Sequence, residues 1–168
     1  MRTGNLFSPS ELARDAKLTA ATAARYLGLL ELSFVAGRLP PFLNNRSSRL
    51  IKSPKFYVSD SGLACYLAGV AGEALLRSFP SYGALFETYA WNNLAALLAA
   101  HRPEAGLSFW GAQGRREVDF VIESGADCWA VEVKAGERWE ARELAGLKAF
   151  LERTPRCKAA ILAYNGKT

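Results

Sequence analysis

The sequence predicts a mixed α+β and α/β chain in two parts. A helix-turn-helix part with two short strands spans residues 1–70, and an α-β-β-β-α-β part spans 71–168. Three observations carry this. Two capped helical segments stand close together before Phe34. A long apolar-striped segment from Ala84 to about His101 is followed by three strand-like runs. A breaker-rich stretch from Gly69 to Ser81, with Pro80 and Gly83 beside it, separates the two sets.

In the first part, Ser8 reads as an N-cap, Pro9 as the first helical residue and Glu11 as the closing member of a capping box. That helix runs to about Lys17. Thr19 caps a second helix with Ala23, Tyr26, Leu27, Leu30 and Phe34 at helical spacing. The tight turn at Lys17-Leu18 makes the pair a helix-turn-helix pattern. A strand-like run, Phe34 to Leu39, stops at Pro40-Pro41, and Lys55 to Val58 forms a second strand. Between them lies a polar loop carrying Arg46 and Arg49, so the whole resembles a winged helix. Asp60 caps a further helix, Gly62 to Gly69.

The second part continues with strands at Leu107–Gly111, Glu117–Glu123 and Cys128–Lys134. An amphipathic helix with Leu144, Leu147, Phe150 and Leu151 follows, then Ala159–Tyr164 as a final buried strand. There is no internal repeat.

The 168 residues carry a net charge of +5, and half are hydrophobic, a globular composition. The excess charge lies in the first 60 residues, where nine Lys/Arg face four Asp/Glu. A basic first part suits an anionic partner or simple solubility, and the count alone favours neither. No apolar run approaches the length of a membrane span, and the start lacks the apolar region of a signal peptide. A cytoplasmic protein is expected. The cysteines Cys65, Cys128 and Cys157 are odd in number and sit among apolar residues, which predicts reduced core thiols. With one histidine, His101, neither a transition-metal site nor a Ser-His-Asp triad is well supplied. Any metal chemistry has to run on carboxylates and a hard cation.

One segment concentrates such carboxylates. If Gly125-Ala126 forms a two-residue hairpin loop, Asp119 falls opposite Glu132 and Glu117 opposite Lys134. Val118 with Val133, Phe120 with Val131 and Ile122 with Trp129 then form one apolar face. A one-residue slip would mix the faces. Facing carboxylates repel unless a cation lies between them. Asp119 and Glu132 suit Mg²⁺, and Lys134 suits an attacking water or a phosphate. An amphipathic hairpin with one solvated face has the same spacing. Glu87 shares a helical stripe with Ala90, Trp91, Leu94 and Leu98, either as a first-turn boundary charge or as a third acid aimed at the hairpin.

Gly83-Ala84-Leu85-Phe86-Glu87, Glu117-Val118-Asp119-Phe120 and Val131-Glu132-Val133-Lys134, in this order, resemble the PD-(D/E)XK, restriction-endonuclease-like superfamily. More narrowly, they resemble the region that follows the ATPase module in a group of prokaryotic AAA-type ATPases. Ser10 to Arg14, Arg25 to Glu31 and Lys52 to Leu63 resemble the winged-helix portion of that region. The resemblance implies that Asp119 and Glu132 hold Mg²⁺, Lys134 is the catalytic lysine and Glu87 the supporting acid. Val118 stands where the superfamily motif has proline. A DNA phosphodiesterase is implied, with DNA favoured over RNA and an ATPase domain or parent chain as partner. Arg25, Arg46, Arg49, Lys52 and Lys55 are the candidate phosphate contacts. The alternatives are a non-catalytic DNA-binding or regulatory domain and a protein-interaction module. The chain has no phosphate-loop motif for a nucleotide: Gly166-Lys167-Thr168 imitates only its end, with Ile161 at the first glycine position.

Overall fold

A computed structural model describes residues 2–43, 53–112 and 116–166. Two sheets and six helices make a mixed α/β architecture among these residues. The first region contains β1 (Asn5–Leu6), α1 (Pro9–Asp15), α2 (Ala20–Leu32), β2 (Ala36–Leu39), β3 (Lys55–Val58) and α3 (Ser61–Leu67). After α4 (Glu73–Ser78), the second region contains α5 (Tyr82–His101), β4 (Gly106–Ala112), β5 (Arg116–Ser124), β6 (Asp127–Lys134), α6 (Ala145–Arg153) and β7 (Cys157–Tyr164).

The caps explain much of the first region. Thr19 Oγ1 accepts from the Thr22 N–H at 3.1 Å, and Asp60 Oδ1 accepts from the Leu63 N–H at 2.6 Å. Ser8 occupies the N-cap of α1, but its hydroxyl is bonded to the Ser10 hydroxyl rather than to a backbone N–H of the helix, so the expected capping box does not form. The expected apolar stripe of α2 also narrows: Ala23 and Leu27 are buried, whereas Tyr26, Leu30 and Phe34 are exposed. Phe34 adopts φ 57°, which ends the helical face before it can pack. The sheet runs β1-β3-β2, all antiparallel. The two-residue strand β1 and the short helix α4 had no counterpart in the sequence reading. Each is too short to show a period.

The second sheet has the order β4-β5-β6-β7, antiparallel except for the β6–β7 pair. β7 is an edge strand with alternating exposure, not the buried strand expected. Cys128 and Cys157 are register partners on β6 and β7, although 29 positions separate them in the chain. Both carry free thiols, and burial pushes the Cys128 thiol up to about 11.

The hairpin has the expected register near its turn, but the expected pairs Val118–Val133, Asp119–Glu132 and Glu117–Lys134 do not form, because the ladder stops before them. Ser124 pairs with Asp127 around Gly125-Ala126, and the ladder runs to Phe120 and Val131. Gly125 takes φ 60°, a conformation that suits glycine at this turn position. The faces are not as expected, because β5 carries a bulge. Ser108 pairs with Val121, but Trp110 pairs with Val118, so Phe109 alone faces both Asp119 and Phe120. Val118 is thereby turned away from Phe120. It packs with Phe42, Trp110, Leu147 and Phe150, while Phe120 packs with Tyr57, Trp91 and Phe109. Val121, Cys128 and Ala130 are fully buried as well, so apolar packing covers both faces of the hairpin, and Glu117, Asp119, Glu132 and Lys134 lie toward its open end.

The first and second regions share these cores. Leu39 and Tyr57 belong to the α5-side cluster, and Phe42 belongs to the α6-side cluster. Tyr57 stacks on Trp91 with ring centres 4.9 Å apart. The Phe42 N–H donates to Phe109 O, and the Phe109 N–H donates to Pro40 O. A buried bond between the hydroxyls of Thr3 and Thr88, 2.7 Å, adds a polar tie. This shared packing brings β3 against the open end of the hairpin.

Candidate functional site

The bulge places Asp119 where the β5–β6 ladder stops. Its Oδ2 accepts the Val133 N–H at 2.8 Å, so a side chain takes over where backbone pairing ends. Glu132 is buried, at 7% exposure, and its Oε1 accepts from Lys134 Nζ at 2.8 Å. Glu132 Oε2 is buried with no hydrogen-bond partner. An orphaned carboxylate oxygen in a protein interior is costly and calls for a cationic or donor partner.

Glu87 projects from the second turn of α5. Its Oε1 accepts from Lys55 Nζ at 2.9 Å and from the Tyr57 hydroxyl at 2.6 Å. Lys55 Nζ also contacts Glu117 and lies 3.8 Å from Asp119 Oδ1. Glu87, Asp119, Glu132 and Lys134 therefore line one open cleft of about 1000 Å³, together with Lys55 and Glu117. Arg2, Arg116 and Arg142 also line it, beside this acidic group. Arg2 is tied to Glu11 and Asp15, and Arg142 to Glu140.

Of the candidate phosphate contacts, Arg25 is exposed on α2, outside the cleft lining. Arg46, Arg49 and Lys52 lie outside the described residues. Lys55 is not presented to solvent but is 4% exposed within the acidic cluster. Sequence reasoning missed its place, and that of Tyr57, in the cluster. A signal existed: in Lys55-Phe56-Tyr57-Val58 the period of a strand puts Lys55 and Tyr57 on one side.

The electrostatics are those of crowded acids in a poorly solvated place. Burial, then the Glu87 and Glu132 charges, push Asp119 up to about 8 against the opposing pull of Lys55 and the Val133 N–H. Burial also raises Glu132, which the bond from Lys134 only partly offsets. For Lys55, burial pulls the ammonium down, but Glu87, Asp119 and Glu117 together outweigh it and hold it above the usual lysine range. Burial and the Glu87 charge keep Tyr57 protonated, as a donor.

Asp119 binds its proton more tightly folded than unfolded. The stability from this group is therefore fully present below the unfolded carboxylate range near 4, and it is lost as pH rises through about 8. In the absence of divalent cations, denaturant midpoints should fall between pH 5 and 9. Asp119→Asn, which keeps an acceptor for Val133, should flatten that slope and gain on the order of 2 kcal/mol at pH 9. A variant whose pH profile matches the wild type would show that Asp119 is not the strained acid.

A cleft built from two regions, with an acidic floor and arginines beside it, defines a mixed α/β domain with a composite polar site. The chain belongs to the family described as "Domain of unknown function (DUF4143)", whose model matches residues 82–168. Residues 1–74 match a second model, "Domain of unknown function (DUF8612)". The chain is similar to the uncharacterized protein Rv2008c of Mycobacterium tuberculosis and to the uncharacterized protein Mb2031c of Mycobacterium bovis. Each is 36% identical over 131 residues, which is 78% of this chain. The aligned part spans 29% of the length of each relative.

Proposed function

We propose that the cleft is a Mg²⁺-dependent phosphodiesterase site acting on DNA. The observation that carries this is the buried pair Asp119 and Glu132 beside Lys134, with Glu132 Oε2 left without a partner. Among the described residues, no cluster of three or more His, Cys, Asp or Glu side chains is arranged to hold a metal ion. Among the described residues, the ammonium groups paired with Glu87, Glu117 and Glu132 are those of Lys55 and Lys134, and Arg2, Arg116 and Arg142 line the same cleft.

Asp119 and Glu132 are the residues that would hold the cation. When bound, it would polarise a phosphate oxygen and acidify a water. Lys134 is placed to steady charge on the phosphate or to orient the attacking water. Tyr57 and Lys55 fix Glu87. Arg116 and Arg142 supply positive charge along a phosphate backbone without reading bases. The winged-helix and restriction-endonuclease-like descent expected from sequence is part of this proposal. So is a place beside an ATPase module, for which the much greater length of the relatives leaves room.

The second proposal is a DNA-binding or regulatory domain in which the acidic cleft has no catalytic role. The exposed, alanine-rich face of α2 supports only weak, sequence-blind phosphate contacts. A protein-interaction module is the third. No helix among the described residues is long and apolar enough to cross a membrane.

Incubation of supercoiled DNA with the wild type in Mg²⁺, in EDTA, and with Asp119→Ala in Mg²⁺ separates these. Nicking that needs Mg²⁺ and disappears in the variant is expected. Salt-sensitive binding without cleavage would move the assignment to the regulatory domain, and cleavage by Asp119→Ala at the wild-type rate would remove the site.

A further inference from the structure

Lys55 is a cation from the first region lodged in an acidic cluster of the second. Its side chain is 5% exposed, and Nζ donates to Glu87 Oε1 at 2.9 Å. The same nitrogen contacts Glu117, lies 3.8 Å from Asp119 Oδ1, and sits 5.5 Å from the centre of the Phe109 ring. A buried ammonium needs this kind of company, because leaving water unpaired is prohibitive. The oxygens that satisfy it are hard anionic donors of the kind a divalent cation also takes.

The geometry points to Lys55 as a built-in counter-ion of the cluster, whose charge opposes divalent-cation binding and so couples the cation to the seating of β3. This rests on the reading of Asp119 and Glu132 as cation ligands. Two contacts distinguish a displaceable counter-ion from a plain strut. Tyr57 donates to the same Glu87 oxygen, so that acid keeps a partner if Lys55 withdraws. Glu132 is paired with Lys134 instead, and its free oxygen is not neutralised by Lys55. Lys55 therefore balances part of the acidic excess while leaving the unpartnered oxygen of Glu132 open. A divalent ion placed between Asp119 and Glu132 would feel the Lys55 charge through a poorly solvated interior, where like charges a few ångströms apart repel strongly.

The test is a Mn²⁺ titration by calorimetry on the wild type, on Lys55→Met and on Lys55→Gln. The glutamine variant can still donate to Glu87, so it guards against a methionine variant that fails to fold. Loss of the opposing charge should tighten Mn²⁺ binding at least about ten-fold. It should also enlarge the rise in melting temperature that Mn²⁺ produces, a readout independent of any cleavage. Binding by the variants alone, with none by the wild type, would support the counter-ion but overturn the reading of the wild-type cleft as a working cation site. Equal or weaker binding by folded variants, with the wild type binding, would overturn the counter-ion and leave the cation site standing. No binding by any of the three proteins would overturn both.

Discussion

Gly146→Ala should destabilise the protein by at least about 3 kcal/mol, at the upper end of what overpacking costs. A Cβ at Gly146 would fall inside the van der Waals envelope of the Glu117 carbonyl oxygen and press on its carbonyl carbon. The obstacle is backbone, which cannot swing aside as a side-chain tip can. Gly146 stands at the start of α6, and Glu117 lies two residues before Asp119 on β5. Relief would require separating α6 from the strand that carries the acid. The cluster of Val118, Leu147 and Phe150 would loosen with it. Urea unfolding followed by circular dichroism should show the loss, and Mn²⁺ affinity should fall in parallel. A variant with unchanged stability would mean that α6 and β5 are not in this close contact.

Lys134→Met should lower Mg²⁺-dependent cleavage by about 10²–10³, the usual effect of removing one donor to developing charge. Cation binding should persist, because Lys134 bonds Glu132 Oε1 and leaves Oε2 to the ion. Removing an ammonium next to the acids should, if anything, tighten the cation. The separation of the two readouts is what identifies Lys134 as a group acting on the phosphate. Parallel loss of both would make it a strut for Glu132, whose buried charge would then stand alone.

The hairpin was legible because its evidence is local. Phe120 and Ile122 against Val131 and Trp129, with a glycine at the loop, set the register that brings Asp119 and Glu132 to the same end. Glu87 was legible as a carboxylate out of place on an apolar stripe. The bulge was not, since one extra residue leaves the composition of β5 unchanged and shows only against β4. Its consequence is large: it turns Val118 toward α6 and stops the ladder at the acids.

Lys55 was misplaced for a related reason. In a stretch that also holds Lys52, it reads as one more surface cation. Its burial depends on Glu87 and Glu117, 32 and 62 positions away, and on β3 docking beside β5. Cys128 and Cys157 likewise became neighbours only through the parallel β6–β7 pairing. In each case a contact across the fold outweighed what the local sequence offered.

The most direct test of the divalent-cation site is Mg²⁺ or Mn²⁺ binding measured by calorimetry on the wild type and on the Asp119→Ala/Glu132→Ala double variant. Binding by the wild type that vanishes in the double variant is the predicted result. Undiminished binding by a folded double variant, or no binding by the wild type even with DNA present, would contradict it.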